Sequence, residues 1–117
     1  MEKAVVIKAD GTKSVVEFEH GDSYDTIRNA VEGWIEVVGL GSKNADLWLN
    51  EEGKLNGLPQ NPTATALFGE EYGTGYDVIV GNVIITGGTD AEGETLGLTD
   101  EQVELFTNYD RQVWAMF

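Results

Sequence analysis

Cysteine is absent from the 117-residue chain. That excludes disulfides, a thiolate metal site and a cysteine nucleophile. Histidine occurs once, at His20, which removes any site built on two histidines. Basic residues are scarce, 7 against 21 acidic ones, for a formal net charge of -14. Nucleic-acid binders neutralise phosphates with Lys and Arg, so this balance argues against direct nucleic-acid binding. It disfavours docking on an anionic membrane for the same reason. No apolar run approaches the roughly 20 residues that cross a bilayer. The opening Met1-Glu2-Lys3-Ala4-Val5-Val6-Ile7-Lys8 lacks the long apolar region of a signal peptide. With cysteine missing as well, the expected compartment is the cytoplasm.

What is present fits one globular domain over residues 1–117, with no linker or repeat. Hydrophobic residues make up 41% and charged residues 24%, enough apolar side chain to build a core. Ala4 to Ala9 and Ser14 to Glu19 read as strands joined by the turn Asp10-Gly11-Thr12-Lys13. Val16 and Phe18 share one face of the second strand. Asp22 or Ser23 offers a cap for a helix over 23–33. Tyr24, Ile27, Val31 and Trp34 then line one face, and Gly33 suits a left-handed end. Residues 34–40 and 45–50 read as two more strands around the turn Gly39 to Asn44. The start of the chain therefore reads ββαββ, with a helix on one face of the sheet.

In the second half, Asn61 caps a short helix through Leu67, with Pro62 at its first position. Gly69 to Gly75 reads as loose chain. Asp77 to Thr86 is the most β-prone run. Gly81-Asn82 within it is either a two-residue hairpin turn or a bulge; the bulge is favoured, because each half would otherwise be very short. Gly87 to Gly97 reads as a flexible acidic loop. A last helix starts at Thr99. Gln102 completes a capping box, Leu98 and Val103 form a hydrophobic staple, and Asp100 and Glu101 suit the helix dipole. Val103, Phe106, Val113, Trp114 and Phe117 form its expected apolar side, able to dock on the sheet or on a second copy. The fold class is α+β: a small mixed or antiparallel sheet, two main helices and one short one. Its expected core is Val6, Phe18, Ile27, Val31, Ile35, Val37, Leu47, Leu49, Ile79, Val83 and Ile85.

Few patterns carry chemistry. His20 stands in a turn without the Gly-x-Ser-x-Gly elbow of a hydrolase. Gly39-Leu40-Gly41 and Gly73-Thr74-Gly75 lack the third glycine and the Lys-Ser/Thr that cradle phosphate. Asp90-Ala91-Glu92-Gly93-Glu94 misses the ligand order of a calcium loop. No catalytic residue, metal or cofactor is expected. Two binding surfaces are. From Leu55 onward Arg111 is the only basic residue, set against ten carboxylates. Glu70, Glu71, Asp90, Glu92 and Glu94, expected on exposed loops, are candidates for an acidic docking surface. The alternative is a groove for a small molecule or peptide, with Asn50, Asn56, Asn61 and Thr65 as polar contacts. Loop side chains of that kind more often satisfy backbone groups than ligands.

Several short motifs occur in a distinctive order: Val5-Val6-Ile7-Lys8, Asn50-Glu51-Glu52-Gly53-Lys54-Leu55, Leu58-Pro59-x-Asn61-x-x-Ala64-Thr65, Asp77-Val78-Ile79-x-Gly81 and Leu98-Thr99-Asp100-Glu101. In these the chain resembles the domain-of-unknown-function family three-eight-four-six (DUF3846), small proteins of bacteria, phages and other mobile elements. The resemblance spans most of the chain. It implies a small cytoplasmic α+β domain, often phage-borne, and no established activity. The expected function is that of a non-enzymatic accessory protein that binds and modulates a host protein through a basic surface on that partner. One form of this is anti-defence inhibition by mimicry of DNA phosphate. A nucleotide-signal binding module is the alternative, and a carboxylate or metal enzyme ranks last. Self-association through the C-terminal helix is a further expected contact.

Overall fold

The computed structural model of the protein describes residues 1–75 and 77–115. Strands β1 (Glu2–Ile7), β2 (Lys13–Phe18), β3 (Ile35–Leu40), β4 (Ala45–Asn50) and β5 (Val83–Gly87) form one sheet, in the order β2-β1-β5-β4-β3. Every neighbouring pair is antiparallel. The hairpins β1–β2 and β3–β4 are local, as their turn chemistry predicts. They do not pair with each other; β5 is inserted between them. That position explains its composition, since all five residues of β5 are buried.

Helices α1 (Tyr24–Val31), α2 (Pro62–Tyr72) and α3 (Asp100–Thr107) accompany the sheet, with a short 3₁₀ turn at Gly41–Lys43. The core is split by the sheet. On one face Ala4, Val6, Phe18 and Ile84 meet Ile27 and Val31 of α1. On the other Val5, Ile7, Leu47 and Ile85 meet Ala64 and Leu67 of α2 and Phe106 of α3. Alternate residues of β1 thus serve opposite faces, so its run Ala4–Ile7 is apolar throughout. Each fully buried aliphatic side chain contributes about 1.5–3 kcal/mol.

Several expectations are corrected. α1 ends at Val31, and the left-handed residue is Glu32 (φ 60°) rather than Gly33. Gly33 is required for another reason: a Cβ there would lie 2.5 Å from Asn50 Nδ2. Neither Asp22 nor Ser23 caps α1 through its side chain; Ser23 holds the cap position without such a bond. Tyr24 and Trp34 are exposed rather than on the buried face, and the Arg28 guanidinium lies 4.3 Å from the Trp34 ring centre. The second helix does not stop at Leu67. It runs on to Tyr72, so Gly69, Glu70 and Glu71 are helical.

Asp77 to Thr86 is neither a single bulged strand nor a hairpin. Val80 bridges to Gln60, Gly81 turns the chain at φ 78°, and the ladder begins at Val83. A Cβ on Gly81 would meet Leu58 Cδ1 at 2.8 Å, so glycine serves both turn and packing. Val37 is 45% exposed because β3 is an edge strand that the helices do not cover there. α3 stops at Thr107, and Val113 and Trp114 lie on an extended tail instead of its apolar side. Phe117 lies outside the described residues. The capping box at Thr99 and Gln102 forms as expected, and Leu98 and Val103 join the same core cluster.

Candidate functional site

The polar side chains of the expected groove are largely engaged by backbone. Asn61 is fully buried. Its Oδ1 accepts from Ala64 N at 3.0 Å, and its Nδ2 donates to the carbonyls of Ile7 (3.0 Å) and Gly81 (2.9 Å). It ties the start of α2 to the end of β1 and to the Gly81 turn before β5. Thr65 Oγ1 donates to Asn61 O at 2.9 Å and accepts from Ile79 N at 2.9 Å. Asn50 Nδ2 donates to Val31 O at 3.2 Å, closing the C-terminal end of α1, and its Oδ1 accepts from Glu52 N at 2.8 Å. Asn56 is exposed, in the turn after β4. The four residues therefore do not converge on one cavity.

A groove does lie nearby, with a volume of about 690 Å³. Thr65 reaches it, together with Lys54, Gln60, Asp77, Val80 and Trp114. Lys54 and Asp77 form an ion pair at its rim. The tail makes its far wall. Val113 N donates to Pro62 O at 3.0 Å, Ala115 N donates to Gln60 Oε1 at 2.9 Å, and Gln60 Nε2 returns a bond to Ala115 O at 3.4 Å. Trp114 stays 59% exposed beside this attachment. The role of Gln60 and the tail had no sequence signal, because it joins residues 55 positions apart.

The acidic candidates gather at one end of the sheet. The registers Glu2↔Phe18, Leu40↔Ala45 and Ala45↔Gly87 place the start of β1, the end of β3, the start of β4 and the end of β5 there. Glu70 and Glu71 stand in the last turn of α2, not on a loop, and they reach the β3–β4 turn at that end. Glu70 accepts from Lys43 Nζ at 3.1 Å and from the Tyr109 hydroxyl, and Arg111 Nη1 lies 3.7 Å away. Burial works against ionisation of Glu70, but the hydrogen bonds from Tyr109 and Lys43 and the two positive charges outweigh it and lower its pKa. Tyr109 is pushed well above the usual phenol range, by burial first and by Glu70 second. Glu71 accepts from Ser42 N at 3.1 Å and from the Ser42 hydroxyl.

Asp90, Glu92 and Glu94 lie on the loop that follows β5. Thr89 bridges to Thr95, and Gly87 N and Leu96 N bond back across the loop at 2.9 and 2.8 Å. Asp90 organises it, accepting from Glu92 N and Glu94 N at 2.9 Å each. Those amide bonds, that of Glu94 foremost, lower its pKa, and His20 Nε2 at 3.1 Å adds to the effect. Glu92 is exposed, and neither its side chain nor that of Glu94 forms an ion pair among the described residues. Between the two groups lies an open hollow of about 490 Å³, bounded by Lys43, Gly88, Glu101 and Gln102. Partners that sequence reasoning missed here, Ser42, Lys43, Tyr109 and Arg111, come from two separate segments, the β3–β4 turn and the tail after α3.

Most of the cations are taken up in contacts within the chain. Lys3 pairs with Asp100 (3.3 Å), Lys43 and Arg111 with Glu70, Lys54 with Asp77, and Arg28 lies over Trp34. Most of the excess negative charge is left without a local partner. Among the described residues no group of three or more His, Asp or Glu side chains is placed to hold a metal ion. Nor is any helix there long and apolar enough to cross a membrane.

Comparison with known proteins gives one match. No curated protein matches the chain, and no solved structure matches it. A family model described as a domain of unknown function, DUF3846, matches residues 1–111. With nearly the whole chain covered, and with the quoted motifs in place on one α+β sheet domain, this protein belongs to the DUF3846 family.

Proposed function

We propose that the protein acts by binding, without turnover, to a partner protein that carries a basic surface, and that it docks through the acidic end of its sheet. The observation that supports this is the separation of charge. Four of the cations are held in pairs with carboxylates, while Glu92, Glu94 and Glu101 stand at one end with no cation assigned to them. A patterned acidic face is complementary to a basic channel, including one that normally receives nucleic-acid phosphate. A host protein of that kind is the proposed target, and inhibition by occupation of its channel is the proposed mode. Solubility alone is the competing account of so much negative charge.

The two accounts part in one experiment. The protein is used to capture partners from expressing cells at low and high salt, beside a variant carrying Glu92→Lys and Glu94→Lys. The loop holds its shape through Asp90 and the backbone amides of residues 92 and 94, so these exchanges leave it folded. The expected result is a partner retained by the native chain at low salt, released as the charges are screened over about 10 Å at 0.1 M salt, and lost by the variant. Equal capture by both proteins, independent of salt, would reject the acidic surface. The groove beside Trp114 is then the better site, and binding of a nucleotide or another small molecule there is read by a thermal-shift panel.

A further inference from the structure

Both edges of the sheet are strands, and they are finished differently. At the β3 edge the Tyr72 hydroxyl donates to Gly39 O at 2.6 Å, capping part of the open backbone. Among the described residues no side chain bonds to the backbone of β2 in this way, although α3 approaches the strand. Which of its backbone groups point outward follows from the ladder. Lys8 N donates to Thr12 O at 2.9 Å, one step beyond the pair Ile7↔Lys13. Hydrogen-bonded pairs alternate in an antiparallel ladder. Ser14, Val16 and Phe18 therefore bond to β1, and the backbone groups of Lys13, Val15 and Glu17 face out. Leu98 N bonds to Lys3 O on the far side of β1, consistent with the same alternation.

The side chains of Lys13, Val15 and Glu17 also share one face, because they alternate with Ser14 and Val16. Val15 is 46% exposed. Neither Lys13 nor Glu17 forms an ion pair among the described residues, although Lys3, Lys43, Lys54 and Arg111 all do. Two charges of opposite sign thus flank an exposed valine symmetrically on an open edge. We propose that β2 pairs with β2 of a second copy of this chain, antiparallel about a two-fold axis at Val15. In that register Val15 lies opposite Val15, and Lys13 lies opposite Glu17 twice over. All three outward amides and carbonyls of each strand gain partners, and the two five-stranded sheets become one. Two-residue slips, centred on Ser14 or Val16, set Val15 opposite Lys13 or Glu17 and lose both ion pairs, and four-residue slips, centred on Lys13 or Glu17, place like charges opposite each other, which is destabilising. Charges on an edge strand commonly serve only to prevent such pairing; here, within the strand, their order sets opposite charges against each other only in the register centred on Val15. The contact is small, and interfaces below about 1,200 Å² are the weak, transient ones. The dimer is accordingly reversible and depends on protein concentration.

Sedimentation velocity over a concentration series of the full chain, at about 0.15 M salt where the Debye length is about 8 Å, tests this. The native protein passes from monomer to dimer as concentration rises. Glu17→Lys and Lys13→Glu each weaken the dimer by roughly tenfold, since two cross-strand attractions become repulsions. The double exchange Lys13→Glu with Glu17→Lys restores it. Val15→Pro abolishes it, and circular dichroism shows the fold retained, because that N–H takes no part in the β1 ladder. If Val15→Pro unfolds the chain, the charge exchanges alone decide. A native protein that stays monomeric overturns the proposal. So does a dimer that is indifferent to the charge exchanges, or one that the double exchange fails to restore. A dimer lost instead on removing residues 112–117 assigns the contact to the C-terminal tail.

Discussion

Two cations and a phenol meet at Glu70, a residue whose neighbours in sequence suggest only a solvated acidic pair. Lys43, Tyr109 and Arg111 hold its carboxylate in the ionised form. Its folded pKa lies below its ordinary value of 4.5, so the stabilisation it contributes is present above that value and lost as pH falls through it. Acid also relieves the general repulsion of a chain at -14, which acts in the opposite direction. Comparison with Glu70→Gln separates the two. Between about pH 7 and about pH 3, urea midpoints should fall more steeply for the native protein than for the variant. Parallel curves would mean that Glu70 gains nothing from its neighbours. Asp46 shifts the other way, upward through burial, and weakens rather than steepens that trend. Gly33 and Asn61 teach the same lesson without charge. The residue types, and the Asn61 cap, were visible in the sequence, but room for the Asn50 amide and the two Asn61 bonds to distant backbone were not.

Among the elements, those with local signals came out as their residues predict. The hairpins, the Pro62 start of α2 and the capping box of α3 all depend on residues a few positions apart. Thr99 Oγ1 accepts from Gln102 N at 3.1 Å while Gln102 Oε1 accepts from Thr99 N at 2.9 Å. Gln102 also donates to Lys43 O at 2.8 Å, so the cap anchors α3 to the β3–β4 turn. Thr99→Ala should lower stability by about 0.5–2 kcal/mol in a urea melt. No change would show that the anchoring bond alone holds the helix start. Where an element's end was misread, tertiary contacts decided it. α2 gains its last turn because Glu70 and Glu71 find Lys43 and Ser42. The tail leaves helical geometry after Thr107, and its backbone bonds to Pro62 and Gln60 instead.

For the molecule as a whole, the end of the sheet that carries the acidic candidates has two parts with different duties. Glu70 and Glu71 join α2, the β3–β4 turn and the tail, whereas Glu92 and Glu94 sit on a loop held by Asp90, Glu92 exposed and Glu94 half-buried. Charge reversal therefore has unequal cost. Glu70→Lys with Glu71→Lys sets two cations against Lys43 and Arg111 and leaves Ser42 and Tyr109 without their acceptors. It should lower the melting temperature by several degrees, on the order of 1–3 kcal/mol for lost hydrogen bonds to charged groups. Glu92→Lys with Glu94→Lys should stay within about 0.5 kcal/mol of the native protein. Equal melting temperatures for the two variants would show that the α2 carboxylates are as idle structurally as the loop ones.

The amino-acid sequence by itself determined the α+β class, the two hairpins, the capped helix starts, the family and the excess of carboxylate. Each is written in composition or in residues within a few positions, where backbone preference and side-chain reach act directly. The tertiary structure alone decided that β5 separates the two hairpins, that Asn50, Asn61 and Thr65 bond to backbone of distant segments, and that four of the cations are held in ion pairs within the chain. Those outcomes join segments tens of residues apart. They are selected by burial of both sheet faces and by the cost of leaving buried polar groups unpaired, quantities that exist only once the chain is packed.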